Sequence, residues 1–270
     1  MIIQHNIAAV NSYRNLGINQ SSLSKNLEKL SSGYRINRAG DDAAGLAISE
    51  QMRSQINGIN QASKNAEDAI GLIQTAEGAL SEVHSMLQRM TTLATQSANG
   101  TYNSVARGNI QKEMDALIEE IDRIANNTNF NKVYPMSVGG ESMTFQIGPS
   151  SGETLTVTTS QMTSTGLEVA DLDLSLQEDS NLAIDTINKA IDKVSAFRAD
   201  LGAAQNRLEH TIANLDVTSE NITAAESRVR DTDMADEITA FTKNNILLQA
   251  AQSMLSQSNA VPQGVLSMLQ

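Results

Sequence analysis

The chain contains no cysteine and no tryptophan, and only 3 of its 270 residues are proline. The lack of cysteine excludes a disulfide framework, thiolate ligation of a metal and thiol catalysis. Aromatic residues make up only 3%, whereas an enzyme of this size ordinarily spends more aromatic area on its core and pocket. Pro135, Pro149 and Pro262 all stand outside the long periodic stretches, so the helices are expected to run uninterrupted. No apolar run reaches the ~18 residues that a transmembrane helix needs. The opening Met1-Ile2-Ile3-Gln4-His5-Asn6 has no basic segment followed by an apolar one, so no secretory signal is expected. Taken alone, these features point to a soluble cytoplasmic chain. A net charge of −12 argues against nucleic acid or an anionic membrane as a partner.

Catalytic constellations are missing as well. His5, His84 and His210 are far apart in the sequence, and no HExxH, P-loop, GxSxG or GxGxxG motif occurs. Glu119 and Glu120 are adjacent, so on a helix they point in different directions. The expectation is a structural protein with no catalytic residue, no metal and no cofactor.

What is present is helical periodicity. Asn6 is placed to cap a first helix that ends at Gly33, a residue suited to the left-handed position after a helix. Tyr13, Leu16, Leu23, Leu27 and Leu30 form its expected seam, with Gln20 as the polar exception. Asp41 or Asp42 then caps a second helix, in which Ile59, Ala62, Ala66, Ala69, Ile73, Ala76, Leu80, Val83, Leu87, Met90 and Ala94 recur at steps of three and four. Sustained for so long, this is a coiled-coil seam, and its alanines imply close helix approach. Asn99-Gly100 marks a turn. A third helix, capped near Ser104, repeats the pattern with Ile110, Met114, Leu117, Ile121 and Ile124.

From about residue 127 the period shortens to two. Met143, Phe145 and Ile147, then Leu155, Val157 and Thr159, alternate with polar residues around Gly148–Gly152, which predicts a β-hairpin. Helix resumes with Ile187, Val194, Leu201, Leu208, Leu215, Ile222 and Val229 at every seventh position, Arg198, Gln205 and Ser219 being weaker intermediate positions. A last amphipathic helix carries Met234, Ile238, Phe241, Leu248 and Leu255. The order is a mirror: short helix, charged break, long helix, small β region, long helix, charged break, short helix. Mainly α architecture follows, with long antiparallel coiled-coil helices forming a rod and a small β-hairpin region in the middle of the chain.

The outer helices, about 6–32 and 234–256, have only each other to pack against. They are expected to stay largely disordered in the free chain and to fold when other copies cover them. In the two breaks, Arg35, Arg38, Asp41 and Asp42 are expected to form ion pairs with Arg228, Arg230, Asp231 and Asp233. Such pairs would set a joint between inner and outer layers, each contributing about 0–1 kcal/mol.

Two segments are more specific. Residues 31–48, SSGYRINRAGDDAAGLAI, resemble the N-terminal motif of bacterial flagellins, and residues 224–270 resemble their C-terminal region, including AAESRVRDTDMADEI, FTKNNILLQAAQSML and PQGVLSML. GINQASKNAEDAI, AEGAL and LQRMTTLATQSANG also match, so the resemblance covers roughly residues 1–130 and 180–270 in order. It implies a structural subunit that polymerises in many copies into the flagellar filament for swimming. Residues 1–40 with 231–270 would form the inner filament core, 41–130 with 176–230 the helical rod, and 131–175 a short variable region completing it. The resemblance also implies secretion by the flagellar type III route to an extracellular filament, overruling the cytoplasmic reading. Implied partners are an export chaperone at the C-terminal region, the filament cap and hook-junction proteins, and the host Toll-like receptor for flagellin. The matching receptor positions are Gln88, Arg89, Leu93, Gln96 and Glu113, while Val265, Leu266, Met268 and Leu269 match the tail read by cytosolic sensors and packed in the filament core. Alternatives are a hook–filament junction protein, and an exported adhesin or receptor ligand.

Overall fold

The computed structural model describes residues 6–137, 139 and 142–268, with the backbone alone for 263 and 265–268. Five helices and one hairpin follow in order: α1 (Ile7–Ser32), α2 (Ala43–Ser97), α3 (Ser104–Asn127), β1 (Ser142–Gln146), β2 (Thr154–Thr158), α4 (Gln177–Arg230) and α5 (Met234–Met268). The chain divides into two compact units, Asn57–Ser219 and the segments up to Ile56 and from Glu220 onward.

The Asn57–Ser219 unit is built on the long seam of α2. All eleven expected seam positions, Ile59 to Ala94, are buried, as are Leu72 and Leu93. The helices around the seam run antiparallel to it. Arg89 reaches Glu113 and Arg107 reaches the Ser97 carbonyl, so α3 turns back along α2 after the Asn99 turn. Arg198 meets Glu77 and Ser219 meets Asn60; the partner numbers fall on α2 as they rise on α4. Ile187, Val194, Leu201, Leu208 and Leu215 of α4 are buried as expected. The intermediate seam positions differ. Ala183, Ala190, Phe197 and Ala204 are the buried ones, each one residue before the Arg198 and Gln205 column. Three of these four are alanines, whose small side chains stand out less in the sequence pattern than the large residues of the neighbouring column.

The hairpin pairs Met143 with Val157 and Phe145 with Leu155 in an antiparallel register. Leu155 and Val157 are buried and Phe145 packs against the helical core. Equally important is the irregular segment after β2, whose Met162, Leu167, Val169 and Leu174 join the core. Side chains of the helices hold its backbone. The Asp122 carboxylate accepts from the Ser164 amide and hydroxyl, both at 2.7 Å. Gln111 donates to the Leu172 carbonyl and accepts from the Leu174 amide, while the Ser97 hydroxyl donates to the Leu174 carbonyl at 2.7 Å. The middle of the chain is therefore part of the core, rather than an outward-facing appendage.

The other unit contains the paired α1 and α5. Asn6 caps α1 by accepting from the Ala9 amide, and Gly33 ends it at φ 74°, a conformation that favours glycine. The two helices are antiparallel: Lys29 lies 3.8 Å from Glu237, and the Asn6 amide reaches the Ser258 carbonyl. The covered face of α1 carries Ala9, Ser12, Leu16, Asn19, Leu23, Asn26 and Leu30. Leu16, Leu23 and Leu30 are on the expected seam, but Tyr13 and Leu27 are not, being 69% and 50% exposed. The polar exceptions are Ser12, Asn19 and Asn26; Gln20 is exposed. The error has a simple cause: α1 has apolar residues on more than one side, so its spacing admits two stripes. On α5, Phe241, Leu248 and Leu255 face the pair while Met234 and Ile238 are exposed. Helix α5 also continues beyond residue 256 to Met268, through Pro262, so this proline stands inside a helix after all.

Candidate assembly interface and surface strip

The break between α1 and α2 meets the break between α4 and α5 through backbone, not through matched charges. The Arg35 amide donates to the Arg230 carbonyl at 2.7 Å, and the Thr232 amide donates to the Gly33 carbonyl at 3.0 Å, forming an antiparallel bridge of Tyr34 with Asp231. Arg35 adds a side-chain bond to the Val229 carbonyl at 2.6 Å. The expected ion pairs between Arg35, Arg38, Asp41 and Asp42 on one side and Arg228, Arg230, Asp231 and Asp233 on the other are not among the ion pairs of the described residues. The charges take other partners instead. Arg38 pairs with Glu28 at 2.8 Å. Asp41 accepts from the amides of Asn37 and Arg38, and Asp42 from Gly45. Asp233 caps α5 by accepting from Ala235 and Asp236. Arg230 pairs with Glu50 at 2.8 Å and stacks over the Tyr34 ring at 4.7 Å.

These contacts shift two carboxyls. The Arg230 hydrogen bond holds Glu50 below its ordinary value, and the Arg38 and Asn37 amides do the same for Asp41. Gly45 leaves room for the Asp42 and Ile36 side chains against the start of α2. A Cβ there would lie 2.5 Å from the Asp42 carboxylate and 2.8 Å from Ile36 Cδ1, and Ile36 is the buried apolar plug of this loop.

Beyond the joint, α1 and α5 leave most of their apolar surface uncovered. Among the described residues of these two helices only Asn26 is buried. Ile7, Val10 and Ile18 on α1, with Ile246, Met254 and Val261 on α5, all stand exposed. At about 3.6 residues per turn these positions lie away from the mutual seam, so each helix is apolar on opposite sides. A helix of that kind is at home only where other elements surround it.

Residues 3–137 match the family described as the bacterial flagellin N-terminal helical region, and residues 184–269 match the bacterial flagellin C-terminal helical region. The chain belongs to the bacterial flagellins. This flagellin is 52% identical over 271 residues to the flagellin of Halalkalibacterium halodurans, with 100% of both chains covered. It is 48% identical to the flagellin of Bacillus subtilis, again over 100% of both. Among solved structures, the crystal structure of Bacillus cereus flagellin aligns at a TM-score of 0.51 and 33% identity, over 60% of this chain and 94% of that one. Flagellins are structural subunits of the flagellar filament, and the filament is extracellular.

The positions matching the receptor strip lie on α2 and α3 of this flagellin. Gln88, Arg89, Gln96 and Glu113 are exposed. Arg89 donates to Glu113 at 2.8 Å, and Gln96 to the Tyr102 hydroxyl at 2.8 Å, so the strip is tied across the helix pair. Leu93 departs from the expectation: at 1% exposure it packs inward, into the hydrophobic core. Of the tail positions, Leu269 lies outside the described residues, as do the side chains of Val265, Leu266 and Met268, whose backbone continues α5. Sequence reasoning overlooks Glu50 and Tyr34 as the partners of Arg230, since their pairing depends on contacts 180 residues or more apart in the chain.

Proposed function

We propose that this flagellin polymerises through α1 and α5, which are largely unfolded in the free chain and become ordered when other copies cover their outer faces. The single observation that carries the reading is the apolar surface left open on both helices, whereas the seam of the Asn57–Ser219 unit is closed. Burying apolar surface at about 25 cal/mol per Å² is the available driving force. In this reading residues 1–40 and 231–270 form the inner core of the filament, residues 41–130 and 176–230 surround it, and 131–175 complete that layer. Export through the flagellar type III route delivers the chain to the filament tip, and secretion without disulfides suits a chain that travels unfolded. An export chaperone engages the C-terminal region before assembly, and the filament cap and hook-junction proteins contact the same terminal helices at the filament ends.

The exposed Gln88, Arg89, Gln96 and Glu113 form the proposed contact strip for the Toll-like flagellin receptor, an exposed arginine on a rigid helix pair being suited to a binding hot spot. The tail, Val265 to Leu269, is proposed to act in core packing and in recognition by cytosolic sensors. Purified full-length chain, seeded with filament fragments and viewed by electron microscopy, is expected to form helical filaments. A soluble monomer under every seeding condition would sink the proposal and favour the adhesin or receptor-ligand alternative.

A further inference from the structure

Pro262 lies inside α5 and has no amide hydrogen. The carbonyl four residues earlier, that of Ser258, therefore lacks its normal helical donor, and the proline ring crowds it outward. The structure supplies a replacement from another helix. Asn6 Nδ2 donates to the Ser258 carbonyl at 2.8 Å. The same side chain turns its Oδ1 to the Ala9 amide at 3.1 Å and so caps α1. One amide thus completes two helices at once, using its donor on α5 and its acceptor on α1. The placement agrees with the register of the whole pair. Lys29 meets Glu237, Gly33 bonds Thr232, and Asn6 meets Ser258, each pair of numbers adding to about the same value, as an antiparallel pair in constant register requires.

We propose that Asn6 and Pro262 are a matched clasp. Asn6 is the positioning residue that carries α5 across its proline, so the helical state of the turns after Ser258 depends on docking of the first turn of α1. In an antiparallel pair that starts at the Gly33–Thr232 joint, the clasp is the farthest described contact. It reports that the two helices are in register from the joint to Asn6 and Ser258. Without the proline the Ser258 carbonyl would keep its own helical donor, and an ordered α5 would pass this point without the Asn6 amide. The clasp concerns contacts within one chain and stands apart from the filament reading.

The test uses full-length chain and a substitution that separates the two roles of Asn6. Asn6→Asp keeps the capping acceptor and, in place of the amide donor, sets a carboxylate against the Ser258 carbonyl. Pro262→Ala restores the missing helical donor. Amide exchange of residues 259–261 is measured in assembled protein, or in free chain if the pair is already ordered there. Asn6→Asp is expected to speed exchange about three- to tenfold when Pro262 is present, the range of one lost hydrogen bond. Combined with Pro262→Ala, it is expected to change exchange by less than about twofold relative to Pro262→Ala alone, because the carbonyl then keeps its helical donor. An equal effect of Asn6→Asp with and without Pro262→Ala would overturn the clasp. If Asn6→Asp does not assemble alone, its incorporation as a minor fraction into wild-type filaments is read by mass spectrometry. Rescue of incorporation by Pro262→Ala supports the clasp, and absence of rescue refutes it. Wild-type chain that never assembles bears on the filament reading, and then exchange in the free chain decides the clasp.

Discussion

The Asn57–Ser219 unit and the α1–α5 pair use similar helices to opposite ends. In the first, three helices and a pinned irregular segment close over one seam, and residues such as Leu80, Leu87 and Met90 are wholly buried. In the second, two helices share a seam that is interrupted by Ser12, Asn19 and Asn26, and further apolar side chains such as Ile7, Ile18, Ile246 and Met254 stand exposed away from it. Two helices alone cannot enclose a core. What distinguishes the regions is thus the number of partners present in one chain, and a polymer is the natural supply of the missing ones.

Breaking the outer faces should produce the largest effect, and only in assembly. Ile18→Asp or Val10→Asp is expected to abolish filament formation in seeded growth while leaving the denaturation midpoint of the free chain unchanged. A drop in that midpoint would mean that α1 already contributes to the free fold. The reverse holds for the closed seam. Leu87→Ala should cost about 2–5 kcal/mol in the denaturant stability of the free chain, whereas Leu16→Ala on the α1 seam should cost less than about 1 kcal/mol there and raise the critical concentration for assembly.

A smaller loss is expected from Asp122→Ala, which leaves the Ser164 amide and hydroxyl without their shared carboxylate. The expected cost is about 1.5–3 kcal/mol, with amide exchange rising first in residues 162–174. Retention of that protection would show that the apolar contacts of Met162 and Leu167 suffice. Acid should act at the joint. Glu50 and Asp41 titrate below their ordinary values in the folded chain. Their contribution is present above the unfolded carboxylate values and is lost as pH falls through the depressed ones. An NMR titration should therefore find the Arg35 and Thr232 amides steady from neutral pH down to about 5 and changing below about 4. Glu50→Gln should shrink that change. The smallest effect belongs to Arg89→Ala, below about 1 kcal/mol because the pair with Glu113 is exposed, with receptor binding as the readout that would move.

The comparison also explains what the sequence can disclose. The eleven α2 seam positions are legible because each is apolar at steps of three and four, while the buried Leu72 and Leu93 beside them fall outside that spacing. On α1 the same reasoning admits Tyr13 and Leu27, since a helix built to be surrounded carries more than one stripe. On α4 the large residues mark one column correctly, but Ala190 and Ala204 hide the other. The segment holding Met162, Leu167 and Leu174 has no period to read, because Asp122, Gln111 and Ser97 hold it by bonds to backbone. Composition locates the charged joint, yet three of its hydrogen bonds end on the backbone carbonyls of Gly33, Val229 and Arg230, which a residue alphabet does not show. The family motifs, in contrast, are plain in residues 31–48 and 224–270.

Amide hydrogen exchange on the free chain and on assembled filaments tests the central claim most directly. The account predicts rapid exchange along α1 and α5 in the free chain, strong protection of both in the filament, and protection of the α2 seam in each. Strong protection of residues 6–32 in the free chain would contradict it.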